Sequence, residues 1–417
     1  MAESLVSEGK IILKKCEGRT LKSGGSWVFD NEIEREEGHF ENGDIVNVLD
    51  FDGFFMGYGF INRFSKIRVR MLSRYRKEPI DRKFLEDRVR DAWIYRKSVT
   101  DTSSCRLIFG EADCLPGLTV DKYEDILVFE CLSLGMEKLL DIVMTSLVKV
   151  LGEDGIDIRG IYERSEASVR KKEGLKPKKG WYWKKEGEDV PALVSITENG
   201  VKYTVDVENG QKTGFFLDQK RNRAYVQELV KHMVKSGQYV RVLDCFTHMG
   251  TFALNAALAG ASHVTAVDIS DIAIKEARKN AETNGLADKV DFVEADVFED
   301  LPARINNNES YDIVILDPPA FTKSREATKK ALNGYREINI RGMKLVRDGG
   351  FLVTCSCSHF MTQPLFEKMV REASHGARKR LRQVLFSTQA PDHPILVNRD
   401  ENSYYLKFYI FQVYTEK

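Results

Sequence analysis

The sequence predicts an α/β protein with a doubly wound, mostly parallel sheet in its C-terminal half, closed by an antiparallel hairpin. Three observations support this fold class. Short β-type runs separated by glycine turns fill the first 75 residues. Helical and β-type patterns mix up to residue 192, and then apolar strands alternate regularly with amphipathic helices. We therefore expect a small β domain at 1–75, a central α/β domain at 76–192 and the doubly wound domain at 193–417.

Composition restricts the class of protein. The chain has 417 residues, of which 42% are hydrophobic and 30% charged, with a formal net charge of zero. A neutral chain attracts no polyanion through its overall field, so any nucleic-acid surface has to come from local clusters. The N-terminus lacks the apolar core of a secretory signal, and no apolar run is long enough to span a bilayer. Seven cysteines without regular spacing suit a reducing compartment, so we expect a cytoplasmic protein.

The first domain is predicted from two alternating runs, "GDIVNVLDFDGFFMGYGFI" and "KIRVRMLSR". Successive side chains of a strand point to opposite faces, so alternation places Arg68 and Arg70 on one face of the second run. In the central domain, "DRKFLEDRVRDAWIYRKSV" and "LLDIVMTSLVKVLG" have helical periodicity. The lysine-rich "RKKEGLKPKKGWYWKKEGEDVP" that follows is predicted as an exposed loop or hairpin.

The C-terminal domain is predicted from strand–helix pairs such as "YVRVLDCF" with "TFALNAALAGA" and "HVTAVDIS" with "IAIKEARKNAETNG". A ligand of such a sheet lies at the carboxyl ends of the strands. Asp244, Asp268 and Asp296 each follow or end a predicted strand, and the first loop contains one glycine, Gly250. A dinucleotide is disfavoured because the loop lacks the G-x-G-x-x-G pattern. The carboxylates suit an adenosyl ligand without phosphates, such as S-adenosylmethionine; alternatively, Asp268 and Asp296 only cap helices.

The fourth strand of this domain ends in "LDPPAF", which begins its exit from the sheet at Asp317. Two prolines cannot continue a hydrogen-bonded ladder, so the chain must leave the sheet as a rigid loop. At the carboxyl edge of the sheet this loop would present a carboxylate, carbonyl groups and an aromatic ring to a planar, amine-bearing group. Two late strands, "RQVLFST" and "YYLKFYIFQVY", lack a long helix between them and indicate the closing hairpin.

Together, "LDCFTHMGTF", "VTAVDIS", "EADVFED", "DPPAF" and "NGQKTGFFLDQKRNR" resemble the motifs of PUA-domain, class I S-adenosylmethionine-dependent rRNA methyltransferases. The resemblance extends over nearly the whole chain. Within this family, the chain is similar to the subgroup that methylates carbon 5 of cytosine in large-subunit (23S) rRNA. It implies a PUA-like RNA-binding barrel at the N-terminus and S-adenosylmethionine as cofactor. The implied cofactor-binding residues are Phe216, Asp218, Gln219, Asp244, Phe246, Gly250, Thr251, Asp268, Ile269, Asp296, Val297 and Asp317.

The segment "GGFLVTCSCSH" contains two cysteines on alternate positions at a strand end. Carbon 5 of cytosine is a poor nucleophile, and a thiolate that adds at carbon 6 activates it. The resemblance implies Cys357 as this nucleophile and Asp317 as the group that holds the base, with Cys355 a small core residue. The alternative for Cys357 is also core packing. A zinc site is disfavoured because it needs four convergent ligands, so we expect no metal.

Two basic clusters lie outside the catalytic sheet, at residues 63–77 and 170–185. Lysines interleaved with aromatic residues neutralise phosphates and stack unpaired bases, although a single charged run is usually a solvated face. The predicted RNA-binding residues are Arg68, Arg70, Lys178, Lys179 and Trp181. Two other functions stay open at this point, namely methylation of a base nitrogen with structural cysteines and a non-catalytic RNA-binding assembly factor. A homodimer is compatible with the resemblance.

Overall fold

The computed structural model describes residues 4–76, 79–321, 327–397 and 403–415. Its backbone divides into two compact units. The first lies within residues 1–196, 205–217 and 391–403, and the second within 197–204, 218–390 and 404–417. The chain therefore leaves and re-enters each unit.

The first unit begins with a six-stranded sheet. Its strands are β1 (Val6–Leu13), β2 (Trp27–Phe29), β3 (Ile33–Glu37), β4 (Ile45–Leu49), β5 (Phe55–Ile61) and β6 (Ile67–Ser73), with a short helix α1 (Arg19–Lys22). The strand order is β2-β6-β5-β4-β1-β3, and β1 runs parallel to β4 while the other neighbours are antiparallel. Alternate side chains such as Ile11, Val46 and Val69 are fully buried and form its core, as the alternating pattern predicts.

A five-stranded sheet with two helices follows in the same unit. These elements are α2 (Arg82–Val99), β7 (Ser104–Phe109), β8 (Leu118–Tyr123), β9 (Ile126–Cys131), α3 (Leu134–Glu153), β10 (Gly160–Ser165) and β11 (Lys178–Lys184). The order is β11-β10-β9-β8-β7, and α3 connects the parallel pair β9 and β10. Asp81 and Ser133 cap the two helices by accepting hydrogen bonds from the first-turn amides of Phe84 and Met136. A hairpin of β12 (Leu193–Glu198) and β13 (Val201–Asp206) comes next.

The second unit is built on a seven-stranded sheet. Its strands are β14 (Arg241–Cys245), β15 (His263–Asp268), β16 (Val290–Glu294), β17 (Tyr311–Leu316), β18 (Val346–Ser356), β19 (Arg380–Ser387) and β20 (Lys407–Tyr414). Its helices are α4 (Lys220–Lys235), α5 (Thr251–Leu258), α6 (Asp271–Thr283), α7 (Val297–Asn306), α8 (Thr328–Leu345) and α9 (Gln363–Ala377). Every residue of β17 is buried, as expected for a central parallel strand that helices cover on both faces.

The strand order of this sheet is β16-β15-β14-β17-β18-β20-β19. The first five strands are parallel, and β20 runs antiparallel to both β18 and β19. The predicted doubly wound sheet with a closing antiparallel hairpin is therefore confirmed. None of the helices formed by the described residues combines the length and apolar character that a membrane span requires.

Residues 178–184, expected within an exposed loop or hairpin, form the strand β11, which pairs antiparallel with β10 at the edge of the five-stranded sheet, so the hairpin alternative is the one observed. Aromatic residues favour strands, and here Trp181 packs edge-to-face on Tyr162 of the neighbouring β10, which the lysine content of the segment obscures. The helix predicted to reach Gly350 ends at Leu345, because β18 already begins at Val346.

Candidate active site

Four parallel strands place polar side chains at one edge of the seven-stranded sheet. Asp244 lies near the end of β14, and Asp268 is the last residue of β15. Asp317 follows β17, and Cys357 follows β18. The register of β17 with β18 pairs Leu316 with Thr354, so the exits of these two strands are adjacent. Because the carboxyl ends of parallel strands form the ligand-binding crevice, this edge is the candidate site.

Asp244 has an unusual environment. The residue is fully buried, and its Oδ2 accepts hydrogen bonds from Thr247 Oγ1 at 2.5 Å and from the Ala253 amide at 2.9 Å. Its Oδ1 is also buried and has no hydrogen-bond partner among the described residues. Burial, reinforced by the nearby Asp317 and Asp268 carboxylates, raises the pKa of Asp244 to about 7. A buried carboxylate oxygen without a partner is unfavourable, and a cationic or donor group of a ligand would satisfy it.

The loop after β14 has a constrained backbone. Phe246, His248 and Gly250 all have positive φ angles, of 63°, 53° and 82°. The His248 amide donates to Asp268 Oδ2 at 2.8 Å, which joins this loop to the end of β15. A Cβ atom at position 250 would lie 3.3 Å from atoms of the Ala277 and Phe292 side chains, so a larger residue there would be crowded as well as strained by the positive φ.

The next two carboxylates have different local roles. Asp268 accepts from the amides of His248 and Ser270, and Ser270 caps α6. Asp296 is itself the N-cap of α7, since its Oδ1 accepts from the Phe298 amide at 2.8 Å. Capping alone accounts for the hydrogen bond of Asp296, whereas Asp268 links two loops of the crevice.

Apolar groups flank these carboxylates. Ile269, directly after Asp268, is 68% exposed, an apolar side chain open to a ligand. Val297 is buried under the start of α7, and Thr251 is buried at the start of α5. The Phe321 ring lies between Phe246 and Tyr335, with ring centroids 6.4 and 4.7 Å away.

Asp317 is held by a chain of side-chain amides. Gln219 Nε2 donates to Asp317 Oδ1 at 3.1 Å, and Gln219 Oε1 accepts from Asn222 Nδ2 at 2.6 Å. Asn222 Nδ2 also donates to the carbonyl of Thr388 at 3.1 Å. Desolvation by the surrounding protein, followed by the Asp218 carboxylate, raises the pKa of Asp317 to about 7. Asp218 in turn accepts a hydrogen bond from the Tyr405 hydroxyl at 2.7 Å.

The two cysteines of "CSC" occupy different positions. Cys355 is fully buried within β18, close to the side chains of Asp317 and Gln219. Burial, and then the Asp317 carboxylate, raise the pKa of Cys355 well above that of a free thiol. Cys357 lies beyond the strand end and is partly exposed, with its Sγ 3.9 Å from the carbonyl oxygen of Pro318 in the "DPP" turn. Of the two thiols, Cys357 is the accessible one.

Lys407, the first residue of β20, is a feature of this region that sequence reasoning missed. Its ammonium donates to the carbonyls of Ser358 at 2.6 Å and Tyr405 at 2.7 Å, and the residue is only 1% exposed. Burial lowers the pKa of Lys407 to about 8, and the charge of Cys357 opposes this shift. A lysine inside the apolar run "YYLKFYIF" is the sequence feature that could have indicated it.

The predicted RNA-binding residues lie in the first unit, and several have partners there. Arg70 pairs with Glu111 and Glu173, and its side chain is 12% exposed. Lys178 pairs with Glu137. Trp181 Nε1 donates to Glu208 at 3.1 Å. Arg68 is half-buried and Lys179 is exposed on the edge strand β11.

Other members of the two basic clusters are placed unevenly. Arg170 is fully buried and pairs with Glu137, so it does not belong to a basic surface. Lys77 lies outside the described residues. Phe216, expected to bind the cofactor, is in the first unit, where the Lys212 ammonium lies 4.7 Å from its ring centroid. RNA contact by the cluster residues stays a prediction.

Comparison with known proteins identifies the family. Residues 11–74 match a family of PUA-like domains, and residues 171–389 match the S-adenosylmethionine-dependent methyltransferase family. The chain belongs to the S-adenosylmethionine-dependent methyltransferases. Two relatives, from Alteromonas mediterranea and Shewanella denitrificans, are 37% and 40% identical over 97% of this chain and 98% and 99% of their own length. Both are named ribosomal RNA large subunit methyltransferase I.

Solved structures agree with this methyltransferase fold. A putative S-adenosylmethionine-dependent methyltransferase from Streptococcus mutans has a TM-score of 0.78 and is 21% identical, covering 97% of this chain and 99% of its own. A putative methyltransferase complexed with SAH has a TM-score of 0.79 with the same identity and coverage. The family match and the named relatives show that the protein is an enzyme that uses S-adenosylmethionine. Asp244 Oδ1, buried and without a partner in the described part of the chain, fits this cationic cofactor.

Proposed function

We propose that this methyltransferase modifies carbon 5 of a cytosine in large-subunit (23S) ribosomal RNA, with Cys357 as the nucleophile. The observation that carries the proposal is the accessible Cys357 thiol beside the Asp317–Pro318 turn, with its Sγ 3.9 Å from the Pro318 carbonyl oxygen. The names of relatives that match over 97% of the chain support large-subunit rRNA as the substrate.

The chemistry requires a covalent intermediate on the base. The Cys357 thiolate adds to carbon 6, which breaks the 5,6 double bond and makes carbon 5 nucleophilic. S-adenosylmethionine supplies a methyl group on a cationic sulfur. Once carbon 5 carries the methyl group, a base removes its proton, the double bond re-forms and Cys357 leaves as the thiolate. The target base must be unstacked to reach Cys357, which single-stranded or looped RNA permits.

Asp317 is the group proposed to hold the cytosine. Its pKa of about 7 leaves a mixture of carboxylic acid and carboxylate near neutral pH. The acid can donate a hydrogen bond to the ring nitrogen, and the carboxylate can accept one from the exocyclic amine. The hydrogen bond from Gln219 Nε2 to Oδ1 fixes the orientation of this carboxyl. Asp317 thus supplies the directional contact that selects an amine-bearing ring.

The remaining roles follow from the crevice. We propose that Asp244, Asp268, Ile269 and Asp296 contact the cofactor. The neighbouring residues Phe246, Gly250, Thr251 and Val297 are proposed to complete this contact. We also propose three functional parts at 1–75, 76–192 and 193–417, with the first two binding RNA. Lys179, an exposed cation of the second basic cluster on the edge strand β11, is proposed to contact phosphate.

The experiment that tests the proposal identifies the product. The protein is incubated with methyl-labelled S-adenosylmethionine and with both naked 23S rRNA and unmodified large-subunit particles, and the labelled nucleoside is identified by mass spectrometry. We expect 5-methylcytidine from the wild type and none from Cys357→Ala. Cys16→Ala, at an exposed cysteine of the first unit, is the matched control and should keep full activity. A labelled N-methylated base that Cys357→Ala also produces would overturn the thiolate mechanism and support nitrogen methylation instead.

A further inference from the structure

Lys407 is a buried cation for which the protein provides no hydrogen-bonded carboxylate among the described residues. It begins β20 and pairs with Ser356 of β18, one residue before Cys357. Its two hydrogen bonds go to main-chain carbonyls, those of Ser358 and Tyr405. Buried lysines are rare unless a negative charge compensates them, because desolvation of an ammonium is costly. A compensating charge is therefore expected nearby.

A thiolate at Cys357 would supply that charge. The Lys407 ammonium is bonded to the carbonyl of Ser358, the residue that directly follows Cys357, so it is anchored at the nucleophile's own turn. The charge of Cys357 acts on Lys407 in the stabilising direction. A thiolate at Cys357 and an ammonium at Lys407 would compensate each other in a region that otherwise buries the cation alone.

We propose that Lys407 is the positioning residue that keeps Cys357 as a thiolate. This inference rests on the proposed nucleophilic role of Cys357. The proton balance is simple: the S–H bond of Cys357 breaks, its proton passes to solvent water, and the Lys407 ammonium, already charged, remains beside the thiolate as its counter-ion. When the thiolate adds to carbon 6 the ammonium stays in place, and when Cys357 leaves, the pair re-forms.

Two titratable neighbours of Cys357 do not supply a cation. Tyr335 of α8 and Cys355 of β18 interact with its charge, but burial raises the pKa of each, so both are neutral at pH 7. The Asp317 carboxyl, which follows β17, raises the pKa of both Tyr335 and Cys355 and is itself either negative or neutral. The Tyr404 ring lies 5.8 Å from the Lys407 ammonium. His359 follows in the same loop. Unlike Tyr335 and Cys355, Lys407 can carry a positive charge towards Cys357.

The test measures the thiol directly, without RNA or cofactor. The full-length protein is alkylated with iodoacetamide over a range of pH, and the rates at Cys357 and Cys16 are followed separately by peptide mass spectrometry. Exposed Cys16 is the internal reference. Only a thiolate reacts, so the midpoint of each profile reports its formation. Lys407→Met, Lys407→Arg and the matched control Lys235→Met, at an exposed lysine of α4, are compared with the wild type.

In the wild type we expect the Cys357 midpoint below that of Cys16. Lys407→Met should displace it upward by about one pH unit, a roughly ten-fold loss of rate at pH 7. Lys407→Arg should retain most of the rate, and Lys235→Met all of it. An unchanged Cys357 profile in folded Lys407→Met overturns the inference. If that variant does not fold, a wild-type Cys357 midpoint at or above that of Cys16 overturns it equally. Alkylation does not require methyl transfer. A failure of this inference can therefore be distinguished from a failure of the proposed function.

Discussion

Gln219 Nε2 donates a hydrogen bond to Asp317 Oδ1 across 3.1 Å, joining two residues that are 98 positions apart in the chain. Gln219 is 4% exposed and is itself held by Asn222. This relationship changes the interpretation of Gln219, which the sequence resemblance assigns to the cofactor. In the structure, its amide holds the carboxyl proposed to bind the cytosine.

The effect of Gln219→Ala separates these two roles. Loss of the amide leaves Asp317 free to rotate, and misplacement of a catalytic group by about 1 Å can cost on the order of 100-fold in rate. We expect kcat to fall by roughly ten- to 100-fold while the Kd for S-adenosylmethionine changes little. Calorimetric titration and steady-state kinetics measure the two quantities, with Gln383→Ala, at an exposed residue of β19, as control. Weaker binding of S-adenosylmethionine with an unchanged kcat would instead mean that Gln219 contacts the cofactor.

The sequence predicts the strand-end carboxylates well and their partners poorly. Asp244, Asp268 and Asp317 were placed at one edge because the alternation of strands and helices determines where each strand ends. The Gln219–Asp317 bond and the Lys407 ammonium were missed, since each depends on a contact between segments far apart in sequence. Periodicity defines the face on which a side chain lies, but the register of strands such as β18 and β20 decides what it meets.

Binding of S-adenosylmethionine should depend on pH through Asp244. Its pKa of about 7 in the free protein means that a cationic ligand has to displace a proton at lower pH. We expect the Kd to weaken about five-fold or more between pH 8 and pH 6. Proton release on binding should appear as a dependence of the calorimetric heat on buffer ionisation. Asp244→Asn is the control, because in this variant only the ligand's own groups still titrate. An equal pH dependence of the Kd in this variant would contradict the role of Asp244.

The stability of the free protein should also reflect this carboxyl. Because the pKa of Asp244 is raised in the folded state, the folded protein binds more protons than the unfolded chain between pH 3.8 and about 7. The free energy of unfolding contributed by Asp244 therefore falls as pH rises through this window. Asp244→Asn should raise the Tm at pH 8 by roughly 3 °C or more and have little effect at pH 4. The control Asp288→Asn, at an exposed residue, should leave the Tm unchanged at both pH values. An equal shift of the Tm at pH 4 and pH 8 in Asp244→Asn would indicate an effect of packing instead of ionisation.

A pair of glycine substitutions tests the loop after β14. Gly250 and Gly285 both have positive φ, of 82° and 63°, but a Cβ would meet neighbours at 3.3 Å only at position 250 and would find no atom within 4 Å at position 285. Gly285→Ala therefore measures backbone strain alone, about 1 kcal/mol. Gly250→Ala should cost about 1 kcal/mol more and should also weaken S-adenosylmethionine binding, as measured by denaturant unfolding and calorimetry. Equal losses in the two variants would mean that the loop accommodates the extra methyl group.

The covalent step can be trapped on RNA in which 5-fluorocytidine replaces cytidine. After addition of Cys357 to carbon 6 and methyl transfer, carbon 5 carries fluorine where the base would remove a proton, so elimination of Cys357 is blocked. We expect a protein–RNA adduct that survives denaturing electrophoresis and requires S-adenosylmethionine. Peptide mapping should place the RNA on Cys357, since Cys355 is fully buried within β18. Cys357→Ala should form no adduct and Cys16→Ala a normal one, whereas an adduct on Cys355 would exchange the roles of the two thiols.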